Sequence, residues 1–244
     1  MIRTETGKGY VHLVIDRPEK KNALSRTMYQ ALIEGVRMAD ADDRVHAIVI
    51  SGSAGVFTAG NDLADFRARA TDAQPKPSAG LAFIEELMDC ELPVIAAVEG
   101  LAIGIGTTML LHCDAVVASH SAHFKTAFVD LGLVPEAAST VTMPLHLGAR
   151  KAADLLLFGD TLNGEQAVAC GLASRLVADG EAAAAALAMA QVLTGKPREA
   201  LRASKRLLKA PWQALAKEAL AREREVFAQR LRSEDCRQAL AGFK

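Results

Sequence analysis

The sequence predicts an α/β fold that ends in an all-helical tail. Three observations carry this. Short continuous apolar runs, Ala47-Ile-Val-Ile-Ser51 and Pro93-Val-Ile-Ala-Ala-Val98, read as strands buried on both faces. Helical patterns stand between such runs. Beyond residue 181 strand character disappears and alanine-rich and amphipathic helical patterns take over.

Taken in order, Tyr10–Ile15 alternates Val11, Leu13 and Ile15 and is a strand, stopped by Arg17-Pro18. Ser25 caps a helix whose apolar face is Met28, Ala31, Leu32 and Val36. The Ala47 strand follows. Residues 71–80, rich in Pro, Ala and charge, predict a mobile surface loop before a helix at about Leu81–Asp89. After the Pro93 strand, a glycine turn opens a helix over Gly106–Leu111, and Asp114-Ala-Val-Val-Ala118 is a further strand. Past Pro135 the pattern is helical. Ala149–Phe158 forms one helix, and Asn163 caps another that Gly171 closes. Glu181–Leu193 is a helix, Pro197 starts the next, and Trp212–Arg232 reads as a separate long amphipathic one. Gly195-Lys-Pro197 is the expected joint, giving a core over residues 1–194 and a helical region over 195–244. Strand, strand, helix units recur without an exact internal repeat.

Composition narrows the function. The chain has 244 residues, half of them hydrophobic, enough for one large domain or a domain with a small appendage. Its net charge is −1, and no Lys/Arg block is interleaved with aromatics, which argues against a nucleic-acid partner. The four cysteines lie far apart without a CxxC pair and read as reduced thiols of a cytoplasmic protein. The start lacks a signal-peptide pattern. The apolar stretch Val94–Ile105 is too short to span a bilayer and contains Glu99, so no membrane association is expected. His112, His120 and His123 lack zinc-site spacing, and no metal is expected. Ser51, Ser53 and Ser139 lack a nucleophile elbow. Gly104-Ile-Gly106 superficially resembles a dinucleotide fingerprint, but Met109 replaces the third glycine and no Lys-Ser/Thr follows.

One carboxylate stands out. Glu136 lies in the apolar, Gly- and Pro-punctuated loop Leu131-Gly-Leu-Val-Pro-Glu136-Ala-Ala-Ser139. A lone carboxylate in apolar surroundings can act as a general base near neutrality. Read locally, the same Glu can simply begin a helix. Two glycine-bearing turns precede it, Phe57-Thr-Ala-Gly-Asn-Asp-Leu63 and Gly100-Leu-Ala-Ile-Gly-Ile-Gly106. Each follows a buried strand and can offer backbone N–H groups to an oxyanion. Proton abstraction beside a carbonyl is the chemistry these pieces fit.

In order and spacing, these segments resemble the crotonase superfamily, also called the enoyl-CoA hydratase/isomerase family. The matching stretches are Arg17-Pro-Glu-Lys-Lys-Asn-Ala-Leu24, Phe57–Leu63, Pro93–Gly106, Cys113-Asp114, Leu131–Glu136 and Leu157-Phe-Gly-Asp160 with Ala167 and Gly171-Leu172. The resemblance implies a spiral of ββα units, a helical C-terminal trimerisation region, trimers or dimers of trimers, and an acyl-CoA thioester substrate with no separate cofactor. It implies oxyanion donors at the N–H groups of Asn61 and Ile105. Substrate-binding backbone maps to Lys20, Lys21, Asn22, Ala23 and Leu24, to Ala59, Gly60, Asn61, Asp62, Leu63 and Ala64, and to Gly104 and Ile105, with Phe128 beside the acyl group. The two glutamates of the hydratases map to Thr108 and Phe128, which cannot act as bases. Glu136 matches the single catalytic glutamate of the Δ3,Δ2-enoyl-CoA isomerase branch, and the late segment Arg222-Glu-Arg-Glu225 with Arg232-Ser-Glu-Asp235 also resembles that branch. The implied function is therefore isomerisation of a 3-enoyl-CoA. A hydratase or another crotonase-type lyase and a catalytically inert CoA-binding protein stand as alternatives. The apolar neighbours Leu133, Val134, Ala137 and Ala138 lead us to expect an uncharged acyl chain.

Overall fold

The computed structural model describes residues 1–71 and 77–242, and of residues 69–71 the backbone alone. The expected loop at 71–80 therefore falls partly outside the described residues. Within it, residue 71 ends a helix and Ala79 begins the next.

Strands β1 (Ile2–Gly7) and β2 (Tyr10–Ile15) form an antiparallel hairpin. Helix α1 (Arg26–Ala41) crosses to β3 (Ala47–Gly52). Helices α2 (Leu63–Thr71) and α3 (Ala79–Asp89) lead to β4 (Val94–Val98) and β5 (Leu101–Ile103). Then come α4 (Ile105–Thr108), a 3-10 turn at Met109–His112, β6 (Ala115–Ser119) and β7 (His123–Lys125). The rest is α5 (Ser139–Leu147), α6 (Ala149–Leu156), β8 (Thr161–Asn163), α7 (Gly164–Cys170), β9 (Arg175–Val177), α8 (Ala182–Thr194), α9 (Arg198–Leu231) and α10 (Glu234–Gly242).

Six strands pair in the order β1-β2-β3-β4-β6-β9, all parallel beyond the first hairpin. A second sheet of three short strands runs β5-β7-β8. The chain passes from β4 directly into β5, and from β6 into β7. Each unit thus gives one strand to the large sheet, one to the small sheet, then a helix. This is the spiral of ββα units.

The apolar runs have their cause in two-sided burial. In β3 and β4, Ile48, Ile50, Val94, Ala96 and Val98 enter the main core. Their alternates Ala47, Val49, Ile95 and Ala97 pack under Ala182, Ala186 and Ala190 of α8. Alanines at that four-residue spacing form a smooth helix face that lies close on the sheet. The alanine-rich run is therefore a packing surface.

The tail belongs to the same core. In α9 the buried residues are Lys205, Lys209, Ala216, Ala219, Leu220, Glu223, Phe227 and Leu231, a stripe at helical spacing. Trp212 packs against it, and Cys236 and Leu240 of α10 join the same cluster. The expected break before Trp212 is corrected, since α9 runs unbroken through Pro211. Proline removes one helical hydrogen bond, to the carbonyl of Leu207, whose side chain is 75% exposed. Fastenings on either side of Pro211 tie the helix to the core: Arg202 with Glu91, Lys205 Nζ with Asp114 at 2.6 Å and Lys209 Nζ with the Leu87 carbonyl at 3.2 Å before it, and Lys217 Nζ with Asp89 at 2.7 Å after it. Among the described residues, no helix is long and apolar enough to cross a membrane, and all four cysteines are free.

Lys209 yields a stability prediction. Burial, reinforced by Lys205, pushes its pKa down from 10.5 to about 8. Between those values the unfolded chain holds a proton that the folded chain has released, so stability rises with pH across that window. At pH 7 the buried ammonium is a net burden. Lys209→Met should raise the thermal midpoint at pH 7 by a few degrees and flatten the rise between pH 8 and 10. Thermal unfolding at several pH values checks this, and a lower midpoint at pH 7 contradicts it.

Candidate active site

The site rests on a backbone crossing. Residues 57–58, just after β3, run alongside β5. Phe57 N–H donates to the Glu99 carbonyl and Thr58 N–H to that of Leu101, both at 2.8 Å. Ile103 N–H returns to the Thr58 carbonyl at 3.1 Å. The two glycine-bearing turns are thereby laced together, and Asn61 and Ile105 stand just beyond the lacing. Gly60 has φ +88°, and a Cβ on it would sit 2.6 Å from the Ile103 carbonyl oxygen. Only glycine accepts both conditions. Gly104, at φ +57°, caps α4 and is tied by its N–H to the Lys125 carbonyl at 2.8 Å. Ile105 is thus the first residue of a helix, where N–H groups lack intrahelical partners. Among the described residues, no hydrogen bond uses the N–H of Asn61 or Ile105. The Tyr29 hydroxyl donates to Asn61 Oδ1 at 2.7 Å and fixes that side chain.

The segment from Arg17 buttresses the first turn. Lys20 and Lys21 are exposed, and Lys21 and Asn22 both take left-handed φ, 49° and 58°. Asn22 is fully buried. Its Oδ1 accepts from Arg17 N–H at 2.8 Å, and its Nδ2 donates to the Ser53 and Val56 carbonyls at 2.9 and 2.6 Å. The Asn22 side chain is therefore a staple between turns. Leu24 N–H donates to the Gly60 carbonyl at 2.8 Å, and Ala59 N–H to that of Lys21 at 2.9 Å, so Ala23 and Leu24 lie against the turn. Arg17 Nη1 grips Asp62 at 2.6 Å. Burial alone would raise Asp62, but Arg17 and the N–H of Ala64 outweigh it and hold the carboxyl below its usual range. Asp62 thereby caps α2, where Leu63 and Ala64 open the helix.

A cavity of about 180 Å³ opens here, lined by Leu24, Tyr29, Asn61, Phe66, Ala79 and Gly80 among others, with Arg26 and Asp65 also on its wall. The expected lining differs. Phe128, Leu133, Ala137 and Ala138 are buried in the main core, and none of them lines this cavity. Thr108 is buried in α4, with its hydroxyl on the Gly104 carbonyl.

Glu136 is 4% exposed. The two residues after it, Ala137 and Ala138, are non-glycine residues in left-handed conformation, φ 62° and 57°. α5 starts at Ser139 with no side-chain cap from its own flank. The cap comes from α9. The Glu223 carboxylate accepts from Ala138 N–H at 2.6 Å, Thr140 N–H at 2.9 Å and Thr140 Oγ1 at 2.5 Å. Burial pushes Glu223 up, and those three bonds pull against it. From the other side, His112 Nε2–H donates to the Ala137 carbonyl at 2.7 Å. His112 is 1% exposed and, mainly through burial, pushed down to about 4, hence neutral. Sequence reasoning passed over Tyr29, set His112 aside, and noted Glu223 only within the Arg222–Glu225 segment, without a role of its own. The signal for Glu223 was available, because it falls on the apolar stripe of α9.

The sequence profile of the enoyl-CoA hydratase/isomerase family matches residues 5–244. The chain belongs to that family, an enzyme family, and its fold is crotonase-like. Among curated relatives, enoyl-CoA delta isomerase 2 of Rattus norvegicus is 32% identical over 96% of the chain, and the chain spans only 61% of that protein. The 2,3-dehydroadipyl-CoA hydratase of Escherichia coli K12 is 30% identical, over 95% of the chain and 90% of that protein. Among solved structures, OdaA of Pseudomonas aeruginosa superposes with a TM-score of 0.94 at 41% identity, covering 99% of this chain and 98% of that one.

The Gly60 geometry can be tested directly. With the Asn61 N–H as the oxyanion donor that the family resemblance implies, Gly60→Ala should displace it and lower kcat on an enoyl-CoA substrate about 10²–10³-fold, the scale of losing one such donor. Steady-state kinetics on folded variant checks this, and an unchanged kcat contradicts it.

Proposed function

We propose that the chain is a Δ3,Δ2-enoyl-CoA isomerase. Glu136 removes a C2 proton from a 3-enoyl-CoA. The electron pair moves into a dienolate whose oxygen is held by the N–H groups of Asn61 and Ile105. Glu136 then returns the proton at C4, giving the 2-trans-enoyl-CoA. The segment Lys20–Leu24 meets the CoA portion, and no cofactor beyond the substrate's own CoA takes part.

One observation carries the reading. Among the described residues only two acidic side chains are buried, Glu136 and Glu223. Glu223 caps α5 through three hydrogen bonds, so the single-base role falls to Glu136. Buried Thr108 and Phe128 supply no carboxylate for activating water. The relative named as a hydratase keeps hydration as the second reading.

Purified protein assayed side by side with 3-hexenoyl-CoA and crotonyl-CoA separates the two. Isomerisation should dominate, and efficient hydration of crotonyl-CoA would overturn the assignment. Glu136→Gln keeps the volume but cannot take a proton. It should reduce isomerisation at least about 10³-fold with acyl-CoA binding nearly intact. A variant that keeps most of its kcat removes Glu136 as the base.

The same reading includes a homotrimer or dimer of trimers in the cytoplasm. It is supported by exposed Leu145, Leu157 and Phe158 near α5 and α6, and by Leu207, Leu208 and Leu215 on the outer side of α9. Sedimentation equilibrium should return a multiple of three chains, and a monomer would contradict it.

A further inference from the structure

We infer that Glu223 and His112 are positioning residues for the reaction, together holding the Glu136 carboxylate in register with its substrate by clamping the two left-handed alanines that follow it. The inference rests on the reading of Glu136 as the base.

Two consecutive alanines at φ 62° and 57° occupy a region that L-residues other than Gly, Asn and Asp rarely enter. Such a conformation persists only where its surroundings over-determine it. Here they do so from two sides. The Glu223 carboxylate takes the Ala138 and Thr140 N–H groups and the Thr140 hydroxyl. His112 takes the Ala137 carbonyl. The Ala137–Ala138 peptide group is therefore held at both its carbonyl and its N–H by side chains remote in sequence, 85 residues away for Glu223 and 25 for His112.

The location gives the clamp its function. His112 ends the short helical run that Ile105 begins, since α4 passes directly into the turn Met109–His112. One rigid segment thus carries a proposed oxyanion N–H at its start and a grip on the proposed base's loop at its end. Glu223 grips the same loop from the tail helix. Neither side chain has to touch the substrate. Their effect is on where the carboxylate of Glu136 stands, and a misplacement of about 1 Å in a proton-transfer group can cost about 10²-fold in rate.

Full-length Glu223→Gln, Glu223→Ala, His112→Gln and His112→Leu would be compared with the wild type and with Glu136→Gln. Glutamine at 223 keeps the shape but brings an NH2 group against an N–H or hydroxyl donor, so one contact is lost. Glutamine at 112 can still donate to the Ala137 carbonyl, and leucine cannot. With 3-hexenoyl-CoA, kcat should fall about 10–100-fold in Glu223→Ala and His112→Leu and less in the two glutamine variants. KM, and calorimetric affinity for trans-2-hexenoyl-CoA, should stay within about twofold. Circular dichroism and thermal unfolding certify that each variant is folded at assay temperature, and the glutamine variants carry the test if the others do not fold. The inference is overturned if folded variants keep wild-type kcat, if KM rises while kcat holds, or if His112→Gln is no better than His112→Leu. Loss of activity in Glu136→Gln combined with full kcat in the other four would sink the clamp alone. Full kcat in Glu136→Gln would instead sink the reading of the base.

Discussion

Everything at this site depends on backbone meeting backbone where the chain after β3 crosses β5. The three ladder bonds among Phe57, Thr58, Glu99, Leu101 and Ile103 leave no room for a side chain between the strands, and Gly60 abuts the Ile103 carbonyl for that reason. Two N–H groups from turns more than forty residues apart are positioned by the same ladder. A side-chain oxyanion hole would carry rotamer freedom into the transition state, whereas backbone donors in a laced crossing are fixed before substrate arrives. Side-chain identity at Asn61 and Ile105 is correspondingly secondary for the proposed donor function. The Tyr29 bond to Asn61 constrains what remains of its freedom.

Much of this was legible in the sequence, for physical reasons. The strands of the large sheet are buried on both faces, so they appear as continuous apolar runs. The caps at Ser25 and Asn163 work through local hydrogen bonds that residue type predicts, and Asn163 forms a full capping box with Gln166. The strands β5, β7, β8 and β9 were not legible. Each has three residues, too few to show a period, and each is defined by its partner and not by its own pattern. The opening strand β1 was missed because its middle residues are exposed and it earns its place only by pairing with β2. Helix α9 continues through Pro211 because proline's cost is local, while the fastenings that hold the helix lie across the tertiary structure.

The candidate site divides along the same line. Glu136 and the two turns stood out because Gly, Pro and a lone acid are conspicuous in apolar sequence. His112 was set aside as an isolated structural histidine, and Glu223 was absorbed into a charged helix. What distinguishes Glu223 from Glu218 or Glu225 is only that it shares a face with Leu220 and Phe227. A carboxylate on a buried stripe requires donors, and the uncapped N-terminus of α5 supplies them. Nothing in Ala137-Ala138 announces a left-handed turn, since alanine has no preference for one.

This last point bears on how the tail relates to catalysis. A left-handed alanine costs on the order of 1–2 kcal/mol, and two in succession are unfavourable in a loop left to itself. The compensation is a carboxylate hydrogen-bonded to three donors at a helix N-terminus, where charge and the helix dipole act together. That carboxylate reaches the loop only when α9 lies on the core, with Lys205 on Asp114 and Phe227 buried. The loop carrying Glu136 is therefore held from the tail by Glu223 and from the core by His112. A core and an appended helical region are separable in the sequence, but the geometry of the proposed base belongs to both.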